Sequence, residues 1–402
     1  MTGVQTCALP IFEKEFAELL IEGESIQHAY KLFRDLIVFT NCRFFLVDKQ
    51  GMSGKKRQYT SVPYRSIDYF SKETAGHFDL DAEIKIWIKS RPEPITFHVP
   101  ASAANLGPGY NVLAVAVDMP LFITVEARTD GAILVERSDD PTAHLDDHRH
   151  DPVLRGLRTG IERFDLPIKG GMTVQVEGSI PRGTGLGTVS AGYAAGLGAA
   201  IRFAKKKVAP GPALDCLVQL GGDPAHGAAS LLGGLCATIP ISSPLEIPAR
   251  FLPLQFPIHQ DWQLIVAMPD VTIGVAESKR VLPPTLPHGV ASRTAGRVTG
   301  LLHALAQADE GLLRACLLDE SHVPYRRRIF AGLESALAAA IEAGAAGATI
   351  CGHGPSLLAL TTHADRTKAI AKAMIEALRH AGRHATTMTL PVANYGALPL
   401  GS

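Results

Sequence analysis

The chain runs to 402 residues, enough for two or three domains, and its 46% hydrophobic and 19% charged content excludes a disordered protein. Its 39 basic residues balance 39 acidic ones, so nothing in the charge favours a nucleic-acid partner. No apolar run reaches the roughly 18–20 residues that cross a bilayer, and no signal-peptide pattern opens the chain. The six cysteines (Cys7, Cys42, Cys216, Cys236, Cys316, Cys351) show no CxxC pair and no zinc-like spacing, which points to reduced thiols in a cytoplasmic protein.

In chain order, the first eleven residues, "MTGVQTCALPI", lack periodicity and capping logic. They read like a translated sequencing adapter, and residues 1–12 are expected to be an artefactual or disordered leader. Residues 13–90 open with the amphipathic helix "EKEFAELL". Short β-rich runs follow ("LIVFT", "RFFLVDK", "RQYTSVP", "IDYFSKE", "AEIKIWIK"), parted by turns such as "KQGMSGKK". A small antiparallel sheet or barrel without a catalytic cluster is expected there.

From residue 95 on, Ala, Gly and Leu dominate and strands alternate with helices. Helices are expected at 189–206, 212–220, 291–307, 309–317, 331–343 and 364–380. Strands are expected at 95–99, 121–127, 172–177, 263–268, 347–351, 357–361 and 385–390. Lys205, Lys206 and Lys207 should close the first of these helices, where cations complement its dipole. "PISSPLEIPARFLPLQFP" is the expected boundary between a 95–245 domain and a 255–395 domain. "HLDDHRHDP" (144–152) gathers three histidines and three aspartates, but Pro152 and the polarity of the run favour a solvated loop over a metal site.

The run "SIPRGTGLGTVSAG" (179–192) carries the first chemical signal. It lacks the Lys-Ser/Thr of a Walker loop, and its glycine spacing and entry do not fit the dinucleotide fingerprint. A glycine-rich turn opening a helix near Thr188 converges backbone N–H groups on one point, an anion site that needs no lysine. A tight strand-to-helix turn using glycine only for its backbone angles is the alternative, and the loop alone leaves both open.

Two more segments, "VPASAANLGPGYNVLAVAV" (99–117) and "ATICGHGPSLLAL" (348–360), complete an ordered set. Together the three resemble the GHMP kinases over about residues 95–395, with the homoserine kinases nearest by the first segment. The resemblance implies an α+β fold: an N-terminal domain with a left-handed βαβ crossover and a ferredoxin-like C-terminal domain. It also implies ATP and Mg²⁺ as cofactors and phosphorylation of a hydroxyl on a small acceptor, L-homoserine giving O-phospho-L-homoserine in threonine biosynthesis. A homodimer is left open. By the same resemblance, Pro181, Gly183, Thr184, Gly185, Leu186, Gly187, Thr188, Ser190, Gly352 and Gly354 would hold ATP. Thr188 would reach the metal, and Thr188, Ser190 and Asp223 are the catalytic candidates. Asn105, Asn111, His226, Lys279 and Arg326 would meet the acceptor.

The chain departs from the family pattern at several of these places. Val189 stands where a second loop serine is usual, with Ser190 next to it. In "GGDPAHGAASLLGGL" Gly221 takes the place of a metal-associated glutamate and His226 that of an asparagine, leaving Asp223 as the nearby carboxylate. Asn111 replaces the aspartate that pairs with a substrate ammonium, Val275 replaces a threonine, and Lys279 replaces an arginine, a poorer bidentate partner. These changes raise a rival expectation: a member that binds nucleotide or metabolite without turnover.

Residues 34–90, from "RDLIVFT" to "KIWIKS", resemble the bacterial pleckstrin-homology-like domains. That family closes its barrel with a C-terminal helix, and here "RPEPITFHVP" follows instead, so the barrel is expected to be truncated. This piece would serve as an oligomerisation or interaction module, joined at "KSRPEP" by accident or by recent fusion.

Overall fold

The computed structural model describes residues 5–6, 16–31, 36–50, 56–73, 83–88, 93–138, 150–178, 180–242, 250–327 and 329–399. Two compact units divide between Glu93 and Pro94.

In the first unit, β1 (Gln5–Thr6), β2 (Ile26–Lys31), β3 (Leu36–Thr40), β4 (Arg43–Gln50) and β5 (Lys56–Pro63) form an antiparallel sheet in chain order. β6 (Ile67–Glu73) and β7 (Glu83–Ile88) pair as a separate hairpin. The sheets are open, in keeping with the antiparallel sheet the strand pattern allowed and correcting the barrel the family resemblance implied. Gln5 and Thr6, inside the supposed leader, pair with Lys31 and Tyr30. "LIVFT" alternates as a half-buried strand should, and Leu36 and Val38 join Phe16, Ile26, Phe45 and Val47 in a small core. Of "EKEFAELL", residues 13–15 lie outside the described residues; Phe16 is fully buried. The Arg43 guanidinium reaches the Glu24 carboxylate at 2.7 Å and holds its pKa down to about 2.

The second unit contains two sheets. The first joins β8 (Ile95–Ala104), β9 (Leu113–Ala127), β10 (Ile133–Arg137), β11 (Met172–Glu177), β12 (Leu235–Pro240) and β13 (Phe251–Phe256). Its order is β10-β11-β9-β12-β13, with β8 also on β9. β10 and β11 run parallel because α1 (Pro152–Arg163) crosses between them. α1 begins where a loop was expected. Asp151 caps it by accepting from the Leu154 N–H, and Pro152 sits in the first turn, where a missing N–H costs nothing. Residues 144–149 of the histidine-rich run lie outside the described residues.

α2 (Thr188–Phe203) is apolar or small on all sides and is buried from Ser190 to Ile201. It crosses α1 on glycines. A β-carbon at Gly196 would strike the Val153 backbone, and one at Gly156 would strike that of Tyr193. α2 ends before the three lysines. Lys205 takes a left-handed φ of 52°, and its N–H and that of Lys206 bond back to Arg202 and Ile201, closing the helix one turn earlier than charge alone suggested. α3 (Pro210–Gln219) and α4 (Pro224–Leu232) complete this layer.

The second sheet holds β14 (Gln263–Pro269), β15 (Gly347–Ile350), β16 (Leu357–Thr361) and β17 (Ala385–Leu390), in the antiparallel order β15-β16-β14-β17. With α9 (Leu333–Glu342) and α10 (Thr367–His380) this is a βαββαβ, ferredoxin-like arrangement. The α5 (Val275–Arg280), α6 (His288–Gln307), α7 (Glu310–Cys316) and α8 (Val323–Arg326) helices fill the connection from β14 to α9. The expected boundary run contains β13, which pairs with β12 from Leu235↔Phe256 to Pro240↔Phe251. The first sheet therefore extends to Phe256, and the change of sheet falls at 257–262. Trp262 anchors it, fully buried with its indole N–H on the Leu305 carbonyl at 2.9 Å.

The glycine crossing gives an expected contrast of sign. Gly196→Ala should destabilise the second unit by about 1–3 kcal/mol, because the helices must part. Gly296→Ala, in the interior of α6 with open space at its β-carbon, should be neutral or stabilising by up to about 1 kcal/mol. Urea unfolding of both variants against the parent measures this.

Candidate active site

Ile180 to Gly187 follow the end of β11 and enter α2 through three left-handed glycines, Gly183, Gly185 and Gly187, at φ 72°, 81° and 76°. Their β-carbon directions do not face the cavity. At Gly183 a β-carbon would meet Thr272. At Gly185 it would strike the carbonyls of Cys351 and Gly354, and at Gly187 it would meet His226 and Ser102. The glycines are needed both for positive φ and for the close packing of this loop on the turn between β15 and β16. Thr184 and Thr188 donate their hydroxyls to the Pro181 carbonyl, at 2.7 and 2.9 Å, and so tie the loop to itself. The Thr184 carbonyl accepts from the Ser356 N–H, and that of Leu186 from the Ser102 N–H. Leu186 itself is fully buried.

Two cavities adjoin along this loop. One, of about 480 Å³, is lined by Leu121, Arg137, His150, Arg182 and the start of α2. The other, of about 360 Å³, collects Asn111, the three loop glycines, Thr188, Val189, Ser190, Gly221, Asp223, His226, Lys279, His353 and Gly354. Most of the residues expected at the site thus share one cleft. The N-terminus of α2 opens on it, and the helix supplies unpaired N–H groups and a positive dipole end.

Asp223 caps α4, its Oδ1 accepting from the Ala225 and His226 N–H groups at 3.0 Å each. The capping places its carboxylate at the cleft. Gly221, at φ 94°, is exposed with open space where a β-carbon would stand, so a side chain there would not be buried. Asn111 has φ 55°, and its Oδ1 is buried without a hydrogen-bond partner among the described residues. His226 is 5% exposed and wedged between the two glycine turns, with Nδ1 2.8 Å from the Ser102 hydroxyl. Burial lowers its pKa, so the ring is neutral.

Two expected acceptor contacts lie elsewhere. Asn105 is fully buried beneath the cleft, and its amide is consumed: Nδ2 donates to the Gly352 carbonyl at 2.8 Å, and Oδ1 accepts from the Asn111 N–H at 2.7 Å. It pins the first segment to the third. Gly352 is likewise structural, its N–H on the Ala104 carbonyl. Arg326 is also fully buried, under the ring of Tyr110. Its Nη1 donates to His322 Nδ1 at 3.0 Å and its Nη2 to His353 Nδ1 at 3.1 Å. Longer bonds run from Nε to the Ser278 carbonyl and from Nη1 to that of Gly352.

Guanidinium is only a donor, so both Nδ1 atoms must accept and both rings carry their proton on Nε2. His322 donates it to the Gly107 carbonyl at 2.7 Å. His353 turns its Nε2 toward Asp223 Oδ2, 3.8 Å away. Burial, then the Arg326 charge, holds His353 down to about 4. His353 lay inside the quoted third segment but carried no sequence signal of its own; only the buried arginine behind it reveals the role. Cys351 is fully buried, and burial pushes its thiol pKa up, as fits an inert core residue.

This fold, with a glycine loop at a helix N-terminus and a second glycine turn packed on it, is that of the GHMP-type phosphotransferases. The "GHMP kinases C terminal" family model matches residues 301–381. A homoserine kinase of Prochlorococcus marinus (strain MIT 9515) is 30% identical over 288 residues, 71% of this chain and 89% of the relative. The crystal structure of homoserine kinase from Cytophaga hutchinsonii superposes with a TM-score of 0.67 at 23% identity, over 78% of this chain and 99% of that one. The chain belongs to the homoserine kinase family, with an added N-terminal unit of the bacterial PH kind. The "Bacterial PH domain" model matches residues 2–116. The uncharacterised protein YjqA of Bacillus subtilis (strain 168) is 54% identical over 92 residues, 23% of this chain and 74% of the relative. No helix among the described residues is long and apolar enough to cross a membrane.

The three buried imidazoles make stability depend on pH. Each has its folded pKa depressed below the ordinary 6.5, His353 to about 4. Between those values the unfolded chain binds protons that the folded chain refuses, so stability present above pH 6.5 is lost as pH falls toward 4. Unfolding midpoints in urea should fall steadily from pH 7 to pH 4.5. The slope should be shallower in His353→Gln, whose amide can still accept from Arg326 but does not titrate.

Proposed function

We propose that the chain is an ATP-dependent kinase that phosphorylates the hydroxyl of a small acceptor, with L-homoserine the first to test. The observation that carries the reading is the shared cleft: a glycine loop and helix N-terminus suited to a triphosphate lie in one cavity with Asn111, Asp223, His226 and Lys279. The family relationship supports the same reaction class. ATP's triphosphate would lie along Gly183, Gly185 and Gly187, with Thr188 and Ser190 offering hydroxyls. The adjoining cavity beside Arg137 and His150 has room for the nucleoside.

The cleft suits Mg²⁺ carried in by ATP, because Thr188, with Ser190 near it, presents the hard hydroxyl oxygen this ion accepts. When bound, Mg²⁺ neutralises charge on the phosphate oxygens. On the acceptor side, Asn111 offers an amide and Lys279 an exposed cation. Arg326 acts from behind, through His353 and through the field of its charge.

The rival reading, binding without turnover, rests on Val189 and Gly221. Val189 is half exposed, while Ser190 one residue on lines the same cavity. Asp223 keeps a carboxylate in the same cleft, which favours an active enzyme. Acceptor-dependent release of ADP from ATP decides between them, with phosphohomoserine identified by mass spectrometry.

Gly185→Val should abolish Mg-ATP binding by calorimetry, because the branched side chain would force the two glycine turns apart and oppose positive φ. Unchanged affinity in a folded variant removes the loop from the nucleotide site. Gly221→Glu should cost about 1–3 kcal/mol through backbone strain alone, since the side chain has open space. Mg-ATP should restore part of that thermal stability if the new carboxylate reaches the metal.

A further inference from the structure

In the cavity holding Asp223 and His353, one carboxylate oxygen and one imidazole nitrogen face each other at a distance neither can use alone. His353 Nε2 and Asp223 Oδ2 are 3.8 Å apart, too far for a direct hydrogen bond. An oxygen set about 2.8 Å from each would fit between them.

Their roles are fixed from behind. Arg326 is fully buried and donates Nη2 to His353 Nδ1, so Nε2 is the protonated nitrogen and can only donate. Asp223 Oδ1 is committed to the two N–H groups at the start of α4, and Oδ2 is left to accept. A group bridging the two must accept one hydrogen bond and donate another. A hydroxyl does both; a carboxylate can only accept and an ammonium can only donate.

We propose that Asp223 and His353 form a hydroxyl clamp, in which His353 Nε2–H orients the acceptor oxygen and Asp223 Oδ2 takes its proton. The proposal deepens the kinase reading and rests on it for the chemical step. As the acceptor oxygen bonds to the γ-phosphorus of ATP, the bond from that phosphorus to the bridging oxygen breaks and ADP leaves. The hydroxyl proton passes to Asp223 and from there to water, so atoms and charge balance. Arg326 is a positioning residue: it sets the tautomer of His353 and does not touch the acceptor.

Two variants separate chemistry from folding. Asp223→Asn keeps a good N-cap for α4 but replaces the accepting oxygen. Its kcat should fall about a hundredfold to ten-thousandfold, the usual range for a lost general base, while Mg-AMPPNP affinity is unchanged. His353→Phe should lose the orienting donor. His353→Gln, which can accept from Arg326 and donate from its Nε2, should restore most of the loss.

A binding test needs no turnover. With Mg-AMPPNP present, calorimetry compares L-homoserine with L-2-aminobutyrate and 4-hydroxybutyrate with butyrate. In at least one pair the hydroxyl member should bind about tenfold or more tighter, and the difference should vanish in Asp223→Asn and His353→Phe. Equal affinity within both pairs overturns the clamp, as does an Asp223→Asn variant that turns over within a few-fold of the parent. A hydroxyl-dependent affinity that both variants abolish, in a chain that releases no acceptor-dependent ADP, sustains the clamp and removes the kinase reading instead.

Discussion

The close approach of two glycine turns is the constraint on which the site depends. Gly185 rests against the carbonyls of Cys351 and Gly354, and Gly352 against the ring of His226, so that any β-carbon at these places would force the turns apart. The Ser356 N–H to Thr184 carbonyl bond closes the contact. One turn opens α2 and the other joins β15 to β16, so the contact brings the two sheets of the second unit to a common point. Once they meet, the α2 N-terminus, the α4 cap and the α5 end share one cleft.

A second layer lies under that contact and is made of polar groups in full use. Asn105 bonds both to Gly352 and to Asn111. Arg326 bonds to two imidazoles and two carbonyls, and His322 passes its own proton on to the Gly107 carbonyl. Such a network tolerates little trimming, because a buried donor or acceptor left alone costs about 1–3 kcal/mol. It also fixes orientation: Asn111 and His353 reach the cleft in set directions because the residues behind them leave no alternative.

Much of the fold was legible because its signals are local. β11, β16 and β17 fall where their apolar runs end, and α6 and α10 lie within three residues of their expected starts. The failures are equally physical. α1 was hidden because Asp151 and Pro152, a cap and a first-turn proline, read as loop residues when the polar run before them is taken as one segment. β13 was hidden by Pro253, tolerable because β13 lies at the sheet's edge. The open sheets of the first unit could not be told from a barrel, since alternation specifies a face and not closure.

For the site, the residues themselves pointed to the glycine loop and the family resemblance to Asp223, His226 and Lys279, all of which the fold brings to one cavity. It misassigned depth. Arg326 and Asn105 carry the hydrogen-bonding groups expected of ligand contacts, but nothing in a linear motif says whether an arginine faces a ligand or stands one residue behind it. The fold decides this through the companion imidazole. With His353 in the intervening place, the guanidinium has a neutral ring to donate to, and its influence reaches the cleft as a tautomer and a field. A smaller residue at 353 would leave that donor free to meet a ligand directly. The identity of residue 353 therefore determines whether the charge behind it reaches the cleft by contact or at one remove.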